Sequence, residues 1–331
     1  MRAMVVTAVP GAKRSRPLPP RRDLRYTSRK VAEHMPGPVP ITLDELNTAD
    51  RVAFVAALSG IFEHAPWVAE RACVTRPFAT VADLYTTMIE AVAAAGEAEQ
   101  LALIRGHPEL ASKVARAGAL TAESRREQGS LSLDRLSDQE FARFERLNAG
   151  YRERFGFPFI ICVRRHTRDS ILDSFERRLG NDLPTERAAA LREIGHIARL
   201  RLVDAVDGPG KPKTAGRLST HVLDTVSGRA AAGVKVVLKE IGASAEGLLE
   251  EVVTNTDGRT DEPLLAGGPL RIGRYQLEFH IGAYFAACGT AAADPPFLDV
   301  VPIRFSIAEP EGHYHVPLLA SPWSYATYRG S

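Results

Sequence analysis

The chain has 331 residues, 45% of them hydrophobic and 25% charged, with 42 Lys and Arg against 40 Asp and Glu. That length makes two domains the default expectation, and the lack of an apolar run of about 18 residues excludes a membrane-spanning helix. Residues 1–34 hold nine basic side chains against Asp23 and Glu33, so the remainder has 33 bases and 38 acids. A mildly acidic body argues against nucleic acid as a partner.

The basic start has three readings: a targeting segment, a disordered arm, or a start assigned upstream of Met35. It has no apolar core for a secretory signal, and its prolines disfavour an amphipathic transit helix. Residues 1–37 are therefore read as a disordered or mis-assigned extension. From 38 to 206 the apolar period is helical. Leu43, Leu46, Val52, Val55 and Leu58 recur at helical spacing, then Leu84, Met88, Ile89 and Val92, then Phe141, Phe144, Leu147 and Tyr151. Thr42 and Glu45 read as a capping box, Asp138 or Ser137 as a cap for the helix through Tyr151, and Pro184-Thr185-Glu186 as the start of a helix to about Val206. Gly96, Gly106 and Gly156 punctuate this stretch.

Residues 207–216, opening with Asp207-Gly208-Pro209-Gly210, read as a polar linker. Beyond it the period becomes two. Val234, Val236 and Leu238 alternate with lysines and Val237, and Tyr275, Leu277 and Phe279 alternate with polar residues. Val301, Ile303 and Phe305 follow, and Thr256-Asp257-Gly258-Arg259 marks a tight turn. About seven short strands point to a β-sandwich over 217–331. The fold expected is multidomain: an all-α helical bundle followed by an all-β sandwich. Cys73, Cys162 and Cys288 are far apart, so neither a zinc site nor a disulfide framework is expected, and a reducing cytoplasm fits.

His313 and His315 stand two apart and so share a strand face, and His221 lies beside Ser219 and Thr220. Each histidine alone reads as a satisfied structural residue. His313-x-His315 also has metal-ligand spacing, without an adjacent third ligand. Together the motifs go further. Leu218-Ser219-Thr220-His221-Val222-Leu223-Asp224, Thr254-Asn255-Thr256-Asp257-Gly258-Arg259, His313-Tyr314-His315-Val316-Pro317-Leu318-Leu319 and the closing Tyr328-Arg329-Gly330-Ser331 resemble, in order, the 5-hydroxyisourate hydrolases of the transthyretin-related family. The resemblance implies a transthyretin-like sandwich and a catalytic set of His221, Arg259, His315, Tyr328 and Ser331, with His313 a neighbour. It also implies a tetramer with sites across a subunit interface. The residue types suit an amide hydrolysis, because a near-neutral His can activate water and an Arg can hold the developing oxyanion.

In the helical part, Thr121 with Ser124 reads first as a helix cap. Phe62-Glu63-His64-Ala65-Pro66-Trp67, Arg105-Gly106-His107-Pro108-Glu109-Leu110, Ser124-Arg125-Arg126-Glu127-Gln128, Arg154-Phe155-Gly156-Phe157-Pro158-Phe159 and Ile197-Ala198-Arg199-Leu200-Arg201 together resemble the 2-oxo-4-hydroxy-4-carboxy-5-ureidoimidazoline (OHCU) decarboxylases. The resemblance implies His107 as proton donor with Glu127 as its partner acid. It implies Pro108, Ser124, Gln128 and the backbone of Phe159, Ile160, Ile161, Cys162 and Val163 around the substrate, with Arg201 as a clamp. His64 reads as structural. Ala111-Ser112 stands where the family has Ala-Gly. The family's dimeric habit implies dimer contacts through this part.

The product of the first reaction is the substrate of the second. The expectation is a bifunctional cytoplasmic homo-oligomer acting on purine-derived small molecules, similar to allantoin synthases, with no cofactor and no membrane or nucleic-acid partner. The alternative is that one domain alone is catalytic and the other is a scaffold or binding module.

Overall fold

The structure is a computed structural model that describes residues 40–111, 121–129, 138–242, 246–290 and 293–330. The expectations for residues 1–37, for a Ser137 cap, for Ser112 and for Ser331 lie outside the described residues, and so does the side chain of Gln128.

The helical region opens on a two-residue strand β1 (Ile41–Thr42), followed by α1 (Leu43–Thr48) and α2 (Arg51–Leu58). Thr42 and Glu45 form the expected capping box. The single periodic run of the sequence is in fact broken at Asp50, whose side chain accepts from the Ala53 amide and starts a new helix. The break rotates the apolar face: Phe54 and Leu58 are buried, whereas Val52 is 79% exposed. Next come α3 (Pro66–Ala72), α4 (Val81–Ala93), α5 (Glu97–Arg105) and α6 (Ala122–Gly129). The longer helices are α7 (Asp138–Phe155), α8 (Arg168–Arg178) and α9 (Leu183–Ala205). Leu84, Met88 and Val92 of α4 are buried at the spacing that one helix face demands. Asp182 caps α9 through the Thr185 amide, one position earlier than the Pro184 signal alone indicates.

The region is not purely helical. A parallel two-residue ladder joins β1 to β2 (Val206–Asp207), bringing its two ends together. The linker is also bound in place. The Val81 and Ala82 amides at the start of α4 donate to the carbonyls of Pro209 and Gly210 at 3.0 and 3.1 Å. Gly210 has a φ of +60°, and a Cβ there would stand 2.7 Å from the Thr80 side chain.

The β region holds β3 (Arg217–Asp224), β4 (Arg229–Ala230), β5 (Lys235–Ile241), β6 (Glu246–Val253), β7 (Gly273–His280), β8 (Val300–Ile307), β9 (His313–Ala320) and β10 (Tyr325–Thr327). They form two four-stranded sheets, β10-β9-β3-β4 and β6-β5-β7-β8. Leu218 and Val222 of β3, Val316 and Leu318 of β9, Val236 and Leu238 of β5, and Leu277 and Phe279 of β7 share one core, so the inner faces of both sheets close on each other. A helix, α10 (Ile281–Ala287), interrupts this region and buries Ile281 and Phe285, so the all-β expectation is exceeded there. From Pro40 onward the helical and β regions belong to one compact unit. No helix among the described residues is long and apolar enough to cross a membrane.

Candidate active sites

The pairing of β3 with β9 is parallel and puts Ser219 opposite His315 and Arg217 opposite His313. The Ser219 hydroxyl thus lies 3.0 Å from His315 Nδ1 and 3.2 Å from His313 Nε2. His221, two residues on, shares the Ser219 face and meets Arg259 in an isolated antiparallel bridge. Arg259 is presented by a turn that the Asn255 side chain builds, its Oδ1 accepting from the Asp257 and Arg259 amides at 3.0 and 3.2 Å. Gly258 takes a φ of +69° in that turn, and any Cβ would stand 2.3 Å from the Val222 carbonyl.

Burial and the Arg259 charge hold both His221 and His315 below the ordinary histidine pKa, which favours the neutral form of each ring. Nε2 of His221 is buried without a hydrogen-bond partner among the described residues. A neutral imidazole with a free nitrogen beside a guanidinium is the pairing that water activation requires. The two histidines that share the Ser219 hydroxyl are His313 and His315.

The segment after β10 returns to this place. The Gly330 amide donates to the His315 carbonyl at 2.8 Å, and a Cβ on Gly330 would stand 2.7 Å from the His315 ring. Arg329 lies over the Tyr314 ring at 4.7 Å. Tyr328, expected in the catalytic set, is 59% exposed.

In the helical region, His107, Pro108, Leu110, Ser124, Glu127, Phe159, Ile160, Ile161, Val163, Ile197 and Arg201 line one pocket. His107 sits just past α5, and its Nδ1–H donates to the Leu103 carbonyl at 2.9 Å, which leaves Nε2 as the other ring nitrogen. Burial pushes its pKa down to about 4, against the opposing pull of the Leu103 carbonyl and Glu63. Glu127, expected as the acid partner of His107, lines the same pocket and forms a two-pronged pair with Arg201, Nε to Oε1 and Nη2 to Oε2, both at 2.9 Å. The carboxylate whose charge bears on His107 is Glu63. Glu63 is 5% exposed and accepts from Arg201 Nη1 at 2.8 Å, Thr121 Oγ1 at 2.7 Å and Ser124 Oγ at 3.1 Å. Burial pulls the Glu63 carboxyl upward, but Arg201 and these bonds outweigh it and the net shift is down. Thr121 fills both its roles, since its hydroxyl also accepts from the Ser124 amide at 3.3 Å as a helix cap.

Arg201 is thus less free than a substrate clamp would be, with two carboxylates already on its fork. His64, read as structural, is exposed and holds a left-handed φ of +51° next to Glu63, while Ala111 holds +49° at the far end of the His107 turn. Two non-glycine residues in that region mark backbone strain beside the pocket.

The wall 159–163 is oriented from behind. Arg178 Nη1 donates to the Ile160 carbonyl at 2.7 Å, and the Cys162 amide donates to Glu193 Oε2 at 2.9 Å. Cys162, expected to line the substrate through its backbone, is not among the residues that line this pocket. Ile197 and Arg201, four residues apart on α9, both line the pocket.

The OHCU decarboxylase family model matches residues 47–203, and the HIUase/Transthyretin family model matches residues 218–330. The 5-hydroxyisourate hydrolase of Deinococcus radiodurans is 55% identical over 114 residues, which is 34% of this chain and 95% of that protein. The 2-oxo-4-hydroxy-4-carboxy-5-ureidoimidazoline decarboxylase of Haloferax volcanii is 43% identical over 164 residues, 50% of this chain and 95% of that protein. The chain belongs to both the OHCU decarboxylase family and the HIUase/transthyretin family, one in each region. It is also similar to the uric acid degradation bifunctional protein PucL of Bacillus subtilis, 39% identical over 178 residues, 54% of this chain and 35% of that protein.

Proposed function

We propose that the chain performs two successive steps of urate degradation, hydrolysing 5-hydroxyisourate to OHCU in the β region and decarboxylating OHCU to S-allantoin in the helical region. Its functional domains run over 38–206 and 217–331. It acts in the cytoplasm as a homo-oligomer, a tetramer through the β region with dimer contacts through the helical region. The observation that supports this reading most is that each region gathers its histidine, arginine and hydroxyl groups at one place.

In the hydrolase site, His315 or His221 takes a proton from water as the oxygen adds to the ring carbonyl. Arg259 balances the oxyanion, and as that oxyanion collapses the ring C–N bond breaks and the protonated histidine returns its proton to the leaving nitrogen. Ser219 orients His315. Tyr328 and Ser331 complete the site within the assembly. In the decarboxylase site, the C–C bond to the carboxylate breaks and carbon dioxide leaves. The electron pair enters a system conjugated to the substrate's own carbonyl and imine, so the reading calls for no cofactor. His107 then protonates one face of that carbanion. Pro108, Ser124, Gln128 and the Phe159–Val163 wall hold the ring. Arg201, fixed by Glu63 and Glu127, faces the departing carboxylate.

Freshly made 5-hydroxyisourate, followed by ultraviolet absorbance and circular dichroism together, tests the reading. His107→Ala leaves the first phase intact and makes allantoin slow and racemic, whereas His315→Ala stalls the reaction at 5-hydroxyisourate. Unchanged time courses for both variants would overturn it.

A further inference from the structure

The wall of the decarboxylase pocket does not end inside the helical region. After Val163 the chain passes through Arg165, His166 and Thr167 directly onto the β region. There the Ile272 amide donates to the Arg165 carbonyl at 2.8 Å, and the Thr167 amide donates to the Ile272 carbonyl at 3.0 Å. His166 and Ile272 thus register as a parallel bridge, and Thr167 Oγ1 donates to the same Ile272 carbonyl at 3.0 Å. Gly273 packs so closely that a Cβ would stand 2.5 Å from the Thr167 side chain.

A half-buried ion triad lies beside this ladder. Glu311, in the turn between β8 and β9, accepts from Arg165 Nη2 at 3.0 Å and from Arg199 Nη2 at 2.5 Å. The three side chains are 12–20% exposed, and Nε of each arginine is buried without a hydrogen-bond partner among the described residues. Without Glu311 two guanidiniums would face each other in a poorly solvated place. The turn that carries Glu311 is itself fixed, because the Ala308 and Glu309 amides both donate to the Tyr314 hydroxyl at 3.0 Å. Arg165 follows the wall residue Val163 by two positions, Arg199 precedes Arg201 by two on α9, and Glu311 precedes His313 by two. The carboxylate therefore ties the chain just after the pocket wall and helix α9 to the turn ahead of His313.

We propose that Glu311, together with the Ile272 ladder, is a positioning residue for the decarboxylase: the β region supplies the rear anchor that holds the pocket wall and Arg201 in register. This rests on the decarboxylase reading of the pocket. The residue touches no substrate and acts through Arg165 and Arg199.

Glu311→Gln in the full chain removes the charge at nearly constant shape. OHCU supplied directly should then be decarboxylated with kcat/KM about tenfold lower, through a higher KM as well as a lower kcat, while hydrolysis of 5-hydroxyisourate stays within about twofold. Amide hydrogen exchange over 160–167 should be faster in the variant. A fall in kcat alone, in proportion to lost folded protein, would reduce Glu311 to a structural residue and overturn the proposal, as would unchanged exchange and kinetics. If the unaltered chain fails to decarboxylate OHCU, the functional reading of the pocket falls, and the exchange measurement still decides whether Glu311 anchors the wall.

Discussion

The Arg178 guanidinium donates to the Ile160 carbonyl at 2.7 Å and so ties a buried cation to the floor of the decarboxylase pocket. The same group donates through Nε to Glu186 Oε1 at 2.9 Å and lies over the Phe159 ring at 4.5 Å. Glu186 has no exposed surface and also accepts from Tyr151 and Asn181. Arg178→Met removes the cation and leaves a buried carboxylate uncompensated, at an expected cost of about 3–5 kcal/mol. Urea denaturation followed by far-ultraviolet circular dichroism measures it. A loss below about 1 kcal/mol would mean that water reaches Glu186 in the folded chain.

Acid should weaken the helical region early. Burial holds His107 and His196 down to about 4 and His166 down to about 3. In the unfolded chain these rings take up protons near pH 6.5, so below that pH the unfolded state binds more protons than the folded one. Stability is therefore full above pH 6.5 and falls as pH drops toward 4, by about 1.4 kcal/mol per pH unit for each ring inside its window. Thermal unfolding between pH 7 and pH 4.5 should show the fall, and His166→Gln should flatten it.

A neutral His107 cannot give up a proton that it does not hold. If it protonates the carbanion, it must gain that proton as the anionic substrate enters, because a negative charge beside the ring opposes the effect of burial. Binding of an unreactive carboxylate analogue at pH 6 should take up close to one proton per site. Calorimetry in two buffers of different ionisation enthalpy reads this directly. Uptake that persists in His107→Asn would assign the proton elsewhere.

Gly330 has no room for a side chain against His315. Gly330→Ala puts a Cβ where 2.7 Å separates it from the ring, so the imidazole must tilt away from Ser219. Hydrolysis should fall about tenfold or more, with decarboxylation of supplied OHCU unchanged. Equal loss of both activities would show a folding defect instead.

The change from helical to alternating apolar period told the two regions apart, and the capping box at Thr42 and the turn at Asp257-Gly258 were legible because their chemistry is local. The face shared by His313 and His315 was legible for the same reason. Glu63 was visible only as a motif member, because its partners Ser124 and Arg201 lie 61 and 138 positions away along the chain. The orientation of Cys162 depends on Glu193, a contact that periodicity does not encode. The break at Asp50 hid inside a continuous apolar period, since a new helix started there without losing hydrophobic residues. The short helix at Ile281–Ala287 carries no polar face to reveal its period.

The Gly/Pro-rich stretch after Asp207 has the composition of a tether, yet it works as a cap. Its Pro209 and Gly210 carbonyls take the first free amides of α4, the helix that buries Leu84, Met88 and Val92. The two halves are therefore not interchangeable cartridges. Splitting the polypeptide at this point would strip a helix of its N-terminal acceptors, and a version of the first half expressed alone should keep residues through Gly210 to remain whole.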